Sequence, residues 1–180
     1  IMIIFLHFAL GQTFVTPLTN SRIMLLEWVI VALPTTILAL QPNESLIRGN
    51  FLVNVMKRCL PASCTFIVVT CALYLVKALT NPCMIPDNEQ FSTLVTISYT
   101  FGGLFALFYA TMPFDKWWKK AMYGAISLIV VLGVTLPFAR DFFEYVDLTR
   151  EQVLLLLVAI LASPFLLYFF VRLFNLNVAP

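Results

Sequence analysis

The chain has 180 residues, of which 61% are hydrophobic and only 11% charged, and its formal net charge is +2. Soluble proteins carry about 25% charged residues, so a soluble globular domain is excluded. The apolar runs are long and continuous, and they lack the alternation that the strands of a membrane barrel require. The composition therefore predicts an all-α fold, a polytopic transmembrane helical bundle in contact with a lipid bilayer, with no nucleic-acid partner.

The predicted elements are one short apolar segment and five segments near the roughly 20 residues that a spanning helix needs. Residues 1–11 are too few to span, and we expect them to be a partial helix of a longer polypeptide; a short re-entrant or interfacial segment is the alternative. The five predicted full spans are 22–40, 60–79, 91–112, 117–138 and 152–174. The whole of 1–180 is predicted to be a single transmembrane domain.

Basic residues in the short loops predict the orientation of the chain. Seven lie on one side, six of them after the predicted spans that end at 40 and 112 and one at the C-terminal end of the last span: Arg48, Lys57, Arg58, Lys116, Lys119, Lys120 and Arg172. Four lie on the opposite side: Arg22, Lys77, Arg140 and Arg150. The sequence therefore predicts a multi-pass protein of the cell (plasma) membrane with a cytoplasmic C-terminus.

The predicted span 22–40 contains one carboxylate, Glu27, and one proline, Pro34. A charged side chain deep in the bilayer costs roughly 2.5 to 3.5 kcal/mol on insertion scales, so an intramembrane acid is by default a candidate for an ion path. Pro34 has no amide hydrogen and its ring crowds the carbonyl four residues earlier, which would free the Ile30 oxygen. An interfacial Glu27 whose side chain reaches the membrane surface is the alternative.

Small and polar residues form a stripe in the predicted span 91–112. Ser92, Thr96, Thr100 and Gly103 follow one another at intervals of four, four and three residues, so they line one helix face. Such stripes usually let neighbouring helices approach and hydrogen-bond. Thr96 and Thr100 could instead line an ion path.

Several motifs, taken in order, carry a resemblance to a known family. They are the stretches 38–43 (LALQPN), 48–51 (RGNF), 57–61 (KRCLP), 113–117 (PFDKW) and 136–143 (LPFARDFF). Together they resemble the C-terminal membrane region, from the end of helix five through helix ten, of bacterial P-type cation-transporting ATPases of the calcium-pump-like branch. The resemblance covers nearly the whole chain.

The resemblance implies roles for individual residues. Glu27 falls where calcium pumps of this family place an asparagine ligand, Ile30 where they place a threonine, and Val31 where they place a central aspartate. Loss of that aspartate removes a hard oxygen ligand, so calcium selectivity is not inherited. The candidate cation path therefore comprises Glu27, Pro34, Thr96 and Thr100, together with the backbone carbonyls of Ile30 and Val31.

The resemblance also implies what the chain would need from elsewhere. The chain itself has no cofactor and no phosphorylation motif, and ATP and Mg²⁺ are implied only for a parent P-type ATPase. The partners would be the transported cation, with calcium as the leading candidate, together with the remaining helices and cytoplasmic domains of the pump. A stand-alone secondary transporter or channel and a structural membrane subunit are the alternatives.

Overall fold

A computed structural model describes residues 20–39, 51–80, 85–112 and 117–174 of the chain. Within these ranges all regular structure is helical. In chain order the helices are α1 (Asn20–Leu25), a π segment (Leu26–Ala32), α2 (Leu33–Ala39), α3 (Phe51–Thr80), α4 (Asn88–Thr111), α5 (Trp117–Thr135), α6 (Pro137–Phe142) and α7 (Arg150–Leu173). The predicted all-α polytopic bundle is confirmed. The predicted partial helix 1–11 and the motif residues 40–43, 48–50 and 113–116 lie outside the described ranges.

Four of the described helices are long and apolar enough to cross a membrane: Cys59–Thr80 within α3, then α4, α5 and α7. The remaining predicted span, 22–40, is helical over its described residues 22–39, but its hydrogen-bond register changes along its length. α1, the π segment and α2 follow one another without a break, and we call them together the first helix, residues 20–39. The first helix differs from the four uninterrupted spans because it is divided into three short pieces.

α4 is the central helix of the bundle. Inside the protein 67% of its apolar stretch is buried, compared with 28%, 22% and 17% for α3, α5 and α7. Two glycines permit this close packing: a methyl group on Gly102 would lie 2.9 Å from the Phe66 ring of α3, and one on Gly103 would lie 3.2 Å from Ile30. Ser92, Thr96 and Thr100 are all buried. The stripe predicted from the sequence therefore faces the interior, as close helix packing requires.

Polar contacts between helices are concentrated at one end of the bundle, where the first helix, α4 and α7 begin. Arg22 is only 7% exposed, and its guanidinium donates to the backbone oxygens of Glu144 (3.0 Å) and Glu89 (3.2 Å). The Tyr145 hydroxyl donates in turn to the Arg22 backbone oxygen at 3.2 Å. These bonds join the first helix, α4 and the connector 143–149, and we call this group the polar end.

The connector 143–149 is shaped by the way α6 ends. The Tyr145 N–H donates to the Arg140 oxygen (2.8 Å) and the Glu144 N–H to the Asp141 oxygen (3.2 Å), the two bonds of a Schellman motif. Glu144 occupies its left-handed position, with φ 56°. Thr149 then caps α7, exchanging hydrogen bonds with Gln152 in a capping box. The Schellman motif and the capping box satisfy backbone groups that helix ends would otherwise leave without partners.

Candidate functional site

Glu27 lies in the π segment of the first helix and is exposed. π segments are rare, and they occur frequently at functional sites because the wider turn displaces side chains and carbonyls from their α-helical positions. Glu27 makes no ion pair or hydrogen bond with any residue in the described ranges. Within the described part of the chain, its two carboxylate oxygens are therefore available to accept bonds.

Pro34 ends the five-residue register of the π segment. At the end of that segment the Leu33 N–H donates to the Trp28 oxygen, five residues earlier. The next nitrogen in the series belongs to Pro34, which has no hydrogen to donate. In this register Pro34 stands opposite the Val29 carbonyl, whereas the four-residue register expected from the sequence placed it opposite Ile30.

Two threonines just beyond Pro34 cover the carbonyls at this change of register. The Thr35 hydroxyl donates to the Val31 oxygen at 2.6 Å and lies 3.0 Å from the Ala32 oxygen. The Thr36 hydroxyl donates to the Ala32 oxygen at 2.8 Å. Hydroxyls commonly satisfy backbone groups beside a proline in membrane helices. The Val31 carbonyl, a predicted site group, therefore already has a hydroxyl partner.

Glu27 and Thr96, two residues proposed from the sequence on separate grounds, line one cleft of about 240 Å³. Ile23, Leu26 and Tyr99 complete its lining. Thr96 lies eight residues beyond the start of the 24-residue helix α4. At a rise of 1.5 Å per residue, the cleft is about 12 to 17 Å along a helix of about 36 Å.

The hydroxyl groups of Thr96 and Tyr99 donate their hydrogens to groups within the bundle. Thr96 donates its only hydroxyl hydrogen to the Ser92 oxygen at 2.8 Å, and Thr70 of α3 donates its own to the Phe66 oxygen at 2.7 Å. The Tyr99 hydroxyl is hydrogen-bonded to the Thr70 hydroxyl. Since the Thr70 hydrogen is already used, Tyr99 is the donor in that pair. Both hydroxyls are therefore used in bonds within the bundle, and the surface of the cleft is almost entirely apolar.

The other residues predicted for the site do not line this cleft. Ile30 is buried against Leu104 and Ile126, Val31 is 50% exposed, and the Pro34 ring is fully buried. Thr100 is also fully buried, and its hydroxyl donates to the Thr96 backbone oxygen at 2.9 Å. The candidate path proposed from the sequence is therefore spread over the first helix and α4, and only Glu27 and Thr96 meet.

Tyr99 is the cleft residue that the sequence reasoning missed. It lies three residues after Thr96, so it shares the face of α4 that the small polar stripe occupies. That spacing was the available signal, but a large aromatic residue did not fit a stripe defined by small side chains. The described residues contain no group of three or more His, Cys, Asp or Glu side chains placed to hold a metal ion.

Comparison with known proteins gives a consistent set of relatives. The chain is 28% identical over 127 residues, 71% of its length, to the calcium-transporting ATPase CtpE of Mycobacterium bovis. The same protein from Mycolicibacterium smegmatis and from Mycobacterium tuberculosis gives 25% and 27% over the same length. The resemblance to the membrane region of bacterial P-type, calcium-pump-like ATPases is confirmed. The four apolar spans agree with it, and the chain is a membrane protein.

The similarity is limited to part of those relatives. The matched region is 16% of the length of each, so the chain spans less than a fifth of the calcium-transporting ATPases that it matches. No protein-family model matches the chain, and no solved structure matches it. The activity, substrates and partners of a complete ATPase are therefore matters for proposal.

Proposed function

We propose that this chain is the C-terminal part of the membrane domain of an ATP-driven P-type cation pump, and that the Glu27 cleft is part of its cation path. The observation that carries the proposal is Glu27 itself, an acid exposed in the π segment of the first helix and without an ion pair or hydrogen bond among the described residues. An intramembrane acid that is not used in packing implies a function, because its burial in lipid costs free energy. The similarity to calcium-transporting ATPases supplies the type of transport.

The negative charge of Glu27 supports a cation as the transported species. Carboxylate and hydroxyl oxygens are the ligands that hard cations such as Ca²⁺ prefer. Calcium is the leading candidate because the relatives are named as calcium-transporting ATPases. Val31, however, stands where the resemblance implies an aspartate, and the cleft has one carboxylate among its lining residues. Glu27, four residues before Val31 on the same helix, would supply that missing charge.

The rest of the pump would lie outside the described helices. The exposed side of Glu27 would face further helices of the longer protein, and its cytoplasmic domains would bind ATP and Mg²⁺. We place the polar end on the extracytoplasmic side of the plasma membrane and the C-terminus in the cytoplasm, as the distribution of basic residues implies. A reporter fused after α7 that is active only in the cytoplasm tests this orientation.

The mass of the gene product provides a first test. An antibody against residues 41–59 should detect a protein several times heavier than the 20.4 kDa of this chain. A product of about 20.4 kDa would contradict the proposal, because no ATPase machinery would be covalently attached. A stand-alone transporter, a channel or a structural subunit would then replace the pump.

The decisive experiment is Glu27→Gln in the full-length protein, reconstituted into lipid vesicles with ATP and Mg²⁺. We expect cation-stimulated ATP hydrolysis, measured separately with Ca²⁺, Mn²⁺, Na⁺ and K⁺, to fall at least about tenfold, since removing a charged ligand costs more than about 1.4 kcal/mol. Glu151→Gln is the matched control, because Glu151 is an exposed acid in the first turn of α7, outside the cleft. Wild-type hydrolysis and transport by the Glu27 variant would overturn the proposal.

A further inference from the structure

Helix α6 (Pro137–Phe142) follows the span α5 but does not continue it. Leu136, the residue between the two helices, has φ −73° and ψ 129°, which is extended backbone. Pro137 explains this break, because the ring of a proline disfavours the α-helical conformation in the residue before it. One extended residue between two helices prevents them from sharing an axis. α6 therefore turns away from the direction of α5 at the end of that span.

The exposed apolar surface of α5 leads directly to α6. Leu128 and Leu132 share one face of α5, and Leu136 follows after another four residues; all three are exposed. α5 is long and apolar enough to cross a membrane, so this row is the surface that lipid acyl chains would cover. α6 begins where the row ends, at the boundary between the acyl chains and the headgroups.

α6 itself has an exposed apolar side. Phe138 and Phe142 lie four residues apart on one face, and they are 85% and 60% exposed. The Phe142 ring contacts Phe143 edge-on, with 5.2 Å between the centroids. Arg140 lies on the opposite side of α6, where its guanidinium pairs with the Asp147 carboxylate at 2.6 Å. Such an apolar face opposite a charged one is typical of helices that lie in a membrane interface.

The charges around α6 favour an apolar attachment over attraction to anionic lipids. Anionic headgroups are attracted by clusters of basic residues. α6 has one basic residue, Arg140, and Asp147 neutralises it. The neighbouring acids Asp141 and Glu144 are exposed and would repel anionic headgroups. The feature of α6 that suits a membrane is therefore its phenylalanine pair.

We propose that α6 is an interfacial helix, with Phe138 and Phe142 inserted among the ends of the acyl chains nearest the headgroups. Its partner is the apolar boundary of the bilayer, whatever the headgroup charge. The inference requires a membrane-spanning bundle but not the proposed pump. The Schellman motif at the end of α6 positions Glu144, whose oxygen accepts from Arg22. An anchored α6 thus also fixes the level of the first helix relative to the membrane surface.

The test places nitroxide labels on single cysteines of the full-length protein, with its other cysteines replaced, in phosphatidylcholine vesicles. Collisions with oxygen and with a water-soluble nickel chelate give the depth of each label. Labels at Phe138→Cys and Phe142→Cys should lie about 5 to 10 Å below the headgroups, as the apolar faces of interfacial helices do. Leu128→Cys, eight residues before Leu136 on α5, should lie about 12 Å deeper than the start of α6. Asp141→Cys is the matched control on α6 and should be open to the nickel chelate.

A second measurement keeps the natural cysteines, in case their replacement disturbs folding. A phosphatidylcholine with a photoactivatable group near the start of one acyl chain should label the peptide that contains Phe138. The double substitution Phe138→Ser with Phe142→Ser should remove most of that labelling, because serine does not hold α6 among the acyl chains. Labelling of the exposed face of α7 should stay as in wild type.

Three outcomes would overturn the inference. Labels at Phe138 and Phe142 as open to the nickel chelate as the label at Asp141 would place α6 in water. Labels that neither reagent reaches would show that another segment of the longer protein covers this face. A depth that increases when phosphatidylglycerol is added would show that headgroup charge attracts α6. The proposed function is tested separately, because none of these measurements depends on cation-stimulated ATP hydrolysis.

Discussion

Two charged residues of the first helix, five positions apart, have opposite surroundings. Arg22 is buried and donates to two backbone carbonyls of other elements. Glu27 is exposed in the π segment, without an ion pair or hydrogen bond to the described part of the chain. A buried charge that is bonded to other elements holds the fold together, whereas a charge without a bond among the described residues is available to a ligand. The polar end and the cleft thus divide stability and function between them.

Replacing Arg22 should produce the largest loss of stability. Arg22→Met deletes two charge-assisted hydrogen bonds and leaves the Glu89 and Glu144 carbonyls without their donor. We expect the free energy of unfolding to fall by about 3 to 5 kcal/mol, the usual effect of breaking a buried polar interaction that involves a charge. Denaturant unfolding in mixed detergent micelles measures the change.

The control for Arg22 is a basic residue at the same end of the bundle. Arg150 is exposed at the start of α7, so Arg150→Met should change the free energy of unfolding by less than about 0.5 kcal/mol. If the Arg22 and Arg150 variants were equally stable, the hydrogen bonds of Arg22 at the polar end would not stabilise the bundle.

Tyr145, the other buried member of the polar end, should make stability depend on alkaline pH. Burial raises the pKa of Tyr145 from its usual 10.0 to about 12, because the phenolate is poorly solvated there. The unfolded chain releases this proton near pH 10 and the folded chain near pH 12. The contribution is therefore complete below pH 10 and is lost between pH 10 and pH 12, by up to about 2 kcal/mol.

Unfolding measured from pH 9 to pH 12 checks this expectation. Tyr145→Phe should reduce the loss of stability across that range relative to wild type, since phenylalanine has no proton to release. Tyr168→Phe, whose tyrosine is 68% exposed, should leave the wild-type slope unchanged. Equal slopes for Tyr145→Phe and wild type would show that the Tyr145 hydroxyl is not held in the protonated state by the fold.

Replacing Glu144 with glycine should stabilise the connector. It has φ 56° at the left-handed position of the Schellman motif, where a side chain costs roughly 1 to 2 kcal/mol and glycine is the preferred residue. The Arg22 side chain bonds the Glu144 backbone oxygen, which any residue supplies. Glu144→Gly should therefore raise the free energy of unfolding by about 1 kcal/mol, after the entropy that glycine loses on folding is included. A destabilised variant would mean that the Glu144 side chain has a role of its own.

The sequence predicted the parts of the fold that depend on local pattern. Continuous apolar runs identify α3, α4, α5 and α7, because a chain in lipid must satisfy its backbone hydrogen bonds internally. The four-residue spacing of Ser92, Thr96 and Thr100 identified a face of α4 that the structure shows to be buried. Glu27 was prominent for the same reason, since one acid in an apolar run is visible without any tertiary information.

The sequence could not predict features that depend on distant partners. Arg22 was counted only as a loop charge, because the carbonyls that it bonds lie 67 and 122 residues further along the chain. The π register was also hidden, since a proline at position 34 indicates a disturbed helix without distinguishing a kink from a widened turn. Tyr99 becomes part of the cleft only when α4 packs beside the first helix, so its place there could be found only from the structure.

Glu27→Gln should have the smallest effect on stability of all these changes, and this makes it the sharpest test of the comparison. The carboxylate contributes no bond to the described fold, and glutamine has nearly the same shape, so we expect the free energy of unfolding to change by less than about 0.5 kcal/mol. The same micelle unfolding assay that detects the Arg22 loss measures it. A Glu27 variant that is stable yet fails to respond to cations would show that Arg22 serves stability and Glu27 serves function. A Glu27 variant as unstable as Arg22→Met would instead place Glu27 among the residues that hold the bundle together.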